Sequence, residues 1–181
     1  ENSAILCEGG QILAIGGLSA FNKDSVMTVY AFENAYATPG FVDTHIHGAG
    51  GFDASAVLQS PRSIEDMSLL LASKGVTSFV PTIASDSPDR MLANLQALVD
   101  VMTPPMPGAE CVGINIEGPF INRTKSGAQD LNSIIDIDLG FARELLSCGG
   151  KLVKLMTFAP ELENSTALIE LLCEYGVMPA M

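Results

Sequence analysis

From Pro39 onward the chain repeats one unit: an apolar run, a loop, then an amphipathic stretch with a capping signal before it and glycine or proline after it. Phe41 to His47 reads as an extended run. Ser60-Pro61 opens a helix, with Ser as N-cap and Pro at the first helical position. Ile64, Met67, Leu70 and Leu71 form its apolar stripe, and Gly75 ends it. Val76 to Ile83 is β-rich. Ser87-Pro88 starts a second helix with Met91, Leu92, Leu95, Leu98 and Val99 inward, and Thr103-Pro104-Pro105 stops it. Cys111 to Ile116 reads as a short strand, followed by a long polar loop. A third helix around Asp138 to Leu146 closes at Gly149-Gly150. Leu152 to Phe158 is a fourth strand, Ser165 to Tyr175 a fourth helix ended by Gly176, and Val177 to Met181 the start of a fifth strand. Strands alternating with helices of this length give βαβ units and a parallel sheet.

Four such units and the start of a fifth leave two architectures open. A (β/α)8 barrel takes roughly 250 residues, so 181 residues with this rhythm make about half of one. An open doubly wound sheet accommodates the same strand count. Residues 1 to about 38 have a different texture. Ala4 to Cys7 and Gln11 to Ile15 flank Glu8-Gly9-Gly10, a hairpin signal, and Val26 to Phe32 is a further strand candidate.

Composition narrows the function. Hydrophobic residues make up 48%, enough for a sizeable core. Nine Lys+Arg against 21 Asp+Glu give a net charge of −12. That balance opposes nucleic-acid backbones and anionic membrane surfaces, so neither is an expected partner. No run of 18 apolar residues occurs, and the start at Glu1 has no basic segment of the kind that opens a signal peptide. Cys7, Cys111, Cys148 and Cys173 lie far apart without a CxxC, which fits free thiols in a reducing compartment. A cytoplasmic location is the resulting expectation.

Three segments carry chemistry. In Thr38-Pro39-Gly40-Phe41-Val42-Asp43-Thr44-His45-Ile46-His47-Gly48, strand alternation puts Phe41, Asp43, His45 and His47 on one side. His45 and His47, the chain's two histidines, then stand at the strand's C-terminal end, where paired imidazoles can share a divalent ion. An isolated HxH is more often a pair of packed or solvated histidines. The flanking PGFVD and the glycines at 48, 50 and 51 tip the reading toward a site. In Gly113-Ile114-Asn115-Ile116-Glu117-Gly118-Pro119-Phe120 an apolar strand ends in a carboxylate, with Asn115 and Glu117 on a shared face. Barrel enzymes keep catalytic groups at such strand ends, although a lone carboxylate there also suits a loop or a helix cap. The third segment, Asn122 to Gln129, is a long polar loop, which in compact domains is often functional and otherwise simply solvated.

Pro39 to Gly48 resembles the first-strand signature of the amidohydrolase superfamily. Within it, Ile116-Glu117-Gly118-Pro119-Phe120 followed by Lys125-Ser126-Gly127-Ala128-Gln129 resembles the N-acetylglucosamine-6-phosphate deacetylase family. The resemblance extends over the whole chain, including the Leu155 to Glu161 strand end. It implies the N-terminal half of a (β/α)8 TIM-type barrel over 39–181, with 1–38 as part of a small β-sandwich. It implies Glu117, His45 and His47 as metal ligands, and Ala128 and Gln129 as substrate contacts. It implies a divalent metal, zinc being the expected species, at one or two per full-length subunit. The expected partner is a phosphorylated amino sugar, in a homo-oligomer. The implied reaction is metal-dependent deacetylation of N-acetylglucosamine 6-phosphate to glucosamine 6-phosphate and acetate. Other superfamily branches carry a bridging lysine at the fourth strand's end, whereas this strand ends Thr157-Phe158-Ala159-Pro160. The family's acid/base aspartate would fall beyond Met181, so no catalytic residue is expected within the chain, and the isolated chain is expected to be inactive. Two alternatives stay open: another amidohydrolase acting on a different amide, and a non-catalytic half-barrel that binds metal or sugar. Arg123 and Lys125 are weak candidates for the phosphate.

Overall fold

A computed structural model describes residues 3–22, 28–102 and 105–181. The chain divides into two compact units, Glu1–Thr38 and Pro39–Met181. In the first, β1 (Ser3–Glu8) and β2 (Gln11–Gly17) form an antiparallel hairpin. Gly9 and Gly10 have φ of +58° and +79°, and two consecutive positive φ values are what a tight two-residue hairpin turn needs. The strand expected at Val26 to Phe32 is corrected in part. Residues 28–32 form no strand, while Val26 and Met27 lie outside the described residues. Tyr30 and Phe32 there are exposed rather than alternating against a partner.

The second unit contains β3 (Phe41–Ile46), the short pair β4 (Gly48–Ala49) and β5 (Phe52–Asp53), α1 (Ser63–Ser73), β6 (Val76–Ile83), α2 (Pro88–Met102), β7 (Glu110–Cys111), β8 (Ile114–Glu117), α3 (Leu139–Gly149), β9 (Val153–Thr157), α4 (Ser165–Glu174) and β10 (Met178–Ala180). The main sheet runs β3-β6-β8-β9-β10, with β7 also on β6, and all of these pairs are parallel. Each new strand joins beside the one before it in sequence. A doubly wound sheet reverses its order at a switch point; this sheet does not reverse. With right-handed crossovers, a monotonic order puts every helix on one face. The sheet therefore curls as half a barrel rather than lying between two helical layers.

The core fills the space between sheet and helices. Phe79, Ile83, Ile114, Ile116 and Met156 from the strands meet Leu95, Leu98, Leu145, Leu168 and Leu171 from the helices, all buried. The inner strands are covered on both faces: Phe79 to Ile83 and Ile114 to Ile116 are buried without alternation. Such continuous burial is the usual mark of a parallel sheet.

Two boundaries differ from the sequence reading. The first helix begins at Ser63, not at Ser60-Pro61. The Ser60 N–H donates to the Ala56 carbonyl and its own carbonyl accepts from Ser63, so Ser60 to Arg62 form a turn leading into the helix. Glu65 and Asp66 then sit in the first turn, where the helix dipole favours them. The strand expected over Cys111 to Ile116 is divided into β7 and β8. Val112 donates to the Phe79 carbonyl, and a Cβ on Gly113 would come within 2.2 Å of Lys154. Crowding against the next strand thus breaks the run at a residue without a side chain.

Candidate metal centre

The site is built from the C-terminal rim of the half-barrel. On β8, Ile116 points into the core while Asn115 and Glu117 share the opposite face, as strand alternation requires. Gly118 then turns the chain at φ +86°, with Ser85 Oγ 2.0 Å from where a Cβ would stand. Positive φ and close approach both demand glycine here. Across the rim, β3 ends at Ile46 and His47 follows as the chain turns into β4. A Cβ on Gly48 would lie 2.1 Å from the Phe52 carbonyl oxygen, so the tight return after His47 also depends on glycine.

These turns bring three side chains to one point. His45 Nε2 lies 3.2 Å from Glu117 Oε2, His47 Nε2 lies 2.7 Å from the same oxygen, and the two imidazole nitrogens are 3.3 Å apart. The rings meet edge to face, with centroids 5.2 Å apart. Glu117 is 21% exposed and each histidine 46%, so the cluster is open on one side. Among the described residues this is the group of three His, Cys, Asp or Glu side chains close enough together to share an ion. Asp43, placed on the same strand face by alternation, turns its carboxylate to the His45 backbone N–H at 3.1 Å.

The donor set fits a divalent cation. Ligand bonds of about 2.0–2.2 Å in a tetrahedron separate the ligand atoms by roughly 3.3–3.6 Å. Two of the three separations here are 3.2 and 3.3 Å. The third, at 2.7 Å, is a hydrogen-bond length. Two imidazoles and a carboxylate suit zinc and related ions, and three protein ligands leave a position open.

The expected substrate contacts lie on the loop after β8. Ala128 is exposed. Gln129 Oε1 accepts from the Ser85 N–H at 2.9 Å, tying the loop to the end of β6. Arg123 donates from both terminal guanidinium nitrogens to the carbonyls of Leu131 and Ile134, so its fork braces the loop. Asn122 donates to Glu161 Oε1, which holds that carboxyl below its usual range and links the loop to the one after β9. An open depression of about 300 Å³ beside His47 is lined by Gly48, Gly51, Phe52 and Asp53.

The sequence reading gave no role to a polar row next to the His45, His47 and Glu117 cluster. Asn115 Nδ2 lies 3.2 Å from His45 Nδ1 and 3.3 Å from Thr82 Oγ1, while Thr157 Oγ1 donates to Asn115 Oδ1 at 3.4 Å. Asn115 is 1% exposed and Thr82 fully buried. The available signal was a polar residue set among apolar ones near the C-terminal end of each of three strands, Thr82 on β6, Asn115 on β8 and Thr157 on β9.

No family model matches the chain. A curated N-acetylglucosamine-6-phosphate deacetylase from Lysinibacillus sphaericus is 31% identical over 143 residues, 79% of this chain and 36% of that protein. The Danio rerio protein of the same name is 35% identical over 151 residues, 80% of this chain and 36% of its own length. The crystal structure of the Mycobacterium smegmatis enzyme covers 98% of this chain and 44% of its own, with a TM-score of 0.81 and 26% identity. A mutant of that enzyme, in complex with N-acetyl-D-glucosamine-6-phosphate, superimposes with a TM-score of 0.75 at 26% identity, over 93% of this chain and 42% of its own. The chain is thus a homologue of N-acetylglucosamine-6-phosphate deacetylases over about four-fifths of its own residues, and it spans 36% of the length of those curated relatives.

Proposed function

We propose that His45, His47 and Glu117 hold a divalent cation, zinc first among candidates, and that the protein removes the acetyl group of N-acetylglucosamine 6-phosphate as acetate. The observation that carries this reading is the convergence of Glu117 with two histidines 70 and more residues before it in sequence, all three donors within hydrogen-bond distance of one another. The Mycobacterium smegmatis complex with the phosphorylated sugar supports the choice of substrate. Bound there, the cation would supply Lewis acidity toward the amide carbonyl and toward water.

The chain's own residues do the rest of what is assigned to it. His45 and His47 offer neutral lone pairs, and Glu117 offers the negative charge that a cation needs at a half-open rim. Gly48 and Gly118 let the backbone turn without a side chain intruding on the approach. Ala128 and Gln129 face the sugar, on a loop that Arg123 and Gln129 brace. Residues 1–38 contribute to a small β-sandwich and 39–181 to a (β/α)8 hydrolase domain. Among the described residues no helix is long and apolar enough to cross a membrane, and the acidic balance gives membrane surfaces nothing to hold, which suits a cytoplasmic enzyme. The sheet ends at β3 and β10, where Phe41, Val42 and Met178 are exposed. A homo-oligomer is part of the reading.

The test is acetate release and bound zinc, measured for the 181-residue chain and for any longer product of the same reading frame. Unphosphorylated N-acetylglucosamine and N-acetylgalactosamine 6-phosphate serve as comparisons. Zinc uptake with acetate released selectively from N-acetylglucosamine 6-phosphate in the longer form supports the reading. Zinc uptake without acetate release from any form points to a binding half-barrel instead.

A further inference from the structure

We propose that Glu161 is a positioning residue: through Asn122 it holds the loop that carries Ala128 and Gln129 in the pose that meets the sugar. The inference rests on the functional reading above, which assigns that loop to the substrate.

Beyond the ends of β8 and β9 the two chain segments keep running side by side. The Gly118 N–H donates to the Thr157 carbonyl at 2.9 Å, and the Ala159 N–H donates to the Phe120 carbonyl at 2.9 Å. Two residues further on each side, Asn122 Nδ2 donates to Glu161 Oε1 at 2.6 Å. The steps 118, 120, 122 and 157, 159, 161 continue one register. Pro160, which has no N–H, stands where the backbone ladder stops. Side chains make the third rung.

The direction of this rung is fixed by its chemistry. Asn122 Oδ1 accepts from the Thr124 N–H at 2.9 Å and from Thr124 Oγ1 at 2.8 Å. A backbone N–H can only donate, so the amide nitrogen is left for Glu161, whose carboxylate can only accept. One carboxamide therefore starts the Arg123–Lys125 turn and grips the neighbouring loop. A hydrogen bond to a carboxylate is of the stronger kind. Asn122 is the chief reason that the Glu161 carboxyl lies below its usual range, with the backbone of Glu161 itself second. The far end of the loop is held again, by Gln129 Oε1 on the Ser85 N–H. Ala128 and Gln129 stand at that second hold, and the first sets the path of the chain that leads to them. Glu161 is exposed, so replacing it leaves the core intact.

The experiment titrates the Zn²⁺-loaded full chain, ¹⁵N-labelled, with N-acetylglucosamine 6-phosphate, followed by NMR. Two variants are compared, Glu161→Gln and Glu161→Met. Both remove the charge and keep the length, but only Gln keeps an oxygen that accepts from Asn122. Glu161→Gln should bind the sugar phosphate within about twofold of wild type, and Glu161→Met about 3–10-fold more weakly. Hydrogen exchange at the Thr124 and Gln129 amides should quicken in Glu161→Met and not in Glu161→Gln, with Zn²⁺ affinity the same in both. Gln and Met variants that bind alike, or exchange alike, overturn the proposal. A wild-type chain that binds no N-acetylglucosamine 6-phosphate overturns the functional reading and this inference with it. Binding that is indifferent to position 161 removes this inference alone.

Discussion

β3 and β8 each deliver candidate ligands to the same point, yet they stand in opposite settings. β8 runs between β6 and β9, buried from Ile114 to Ile116, with its carboxylate at the last residue of the strand. β3 is an end of the sheet, its Phe41 and Val42 67% and 60% exposed, and its second histidine lies just past the strand. The difference teaches how such a site is held. Glu117 is fixed by packing on a covered strand, whereas the imidazoles depend on polar partners and on a glycine turn. Rigidity from burial serves the charge, and rigidity from hydrogen bonds serves the rings.

The largest effect that would test this contrast is at the anchor. Glu117→Gln should lower Zn²⁺ affinity by more than the roughly 100-fold that loss of an outer partner costs, and abolish acetate release. Metal content after dialysis checks it, and unchanged content would remove Glu117 from the ligand set. Next comes the strand behind the anchor. Ile116 is fully buried, so Ile116→Ala should destabilise the fold by about 2–5 kcal/mol in denaturant titration. A loss well below that would mean β8 is less firmly packed than its burial suggests. A smaller effect belongs to the turn. Gly118→Ala must adopt φ +86° and displace Ser85, at a cost of about 1–3 kcal/mol, with Zn²⁺ affinity falling as Glu117 shifts. The smallest lies on the edge strand. Val42→Ala should change stability by no more than about 0.5 kcal/mol, and a larger loss would show that β3 is covered in solution, as a pairing partner would cover it.

Much of this was legible in the sequence because its signals are local. Glycine after apolar periodicity marked the helix ends, and the order of strands and helices implied a parallel sheet. HxH and the carboxylate closing Ile114 to Glu117 marked the three side chains that converge, since alternation alone fixes which residues share a face. Whether the sheet closes toward a barrel was not local. It depends on each strand joining beside its predecessor, a choice among long-range pairings that no short window encodes. Ser60-Pro61 misled because a serine before proline also suits a turn. Asn115 was seen on the right face but without a role, since its meaning comes from His45, which is 70 residues away. Gln129 likewise reaches Ser85 across 44 residues.

Zinc K-edge X-ray absorption on the Zn²⁺-loaded chain tests the shared centre most directly. The account predicts two imidazole nitrogens and a carboxylate oxygen at about 2.0–2.2 Å, with the imidazole signature lost in a chain lacking both histidines. A shell with sulfur at about 2.3 Å, or oxygen alone without imidazole, would contradict it.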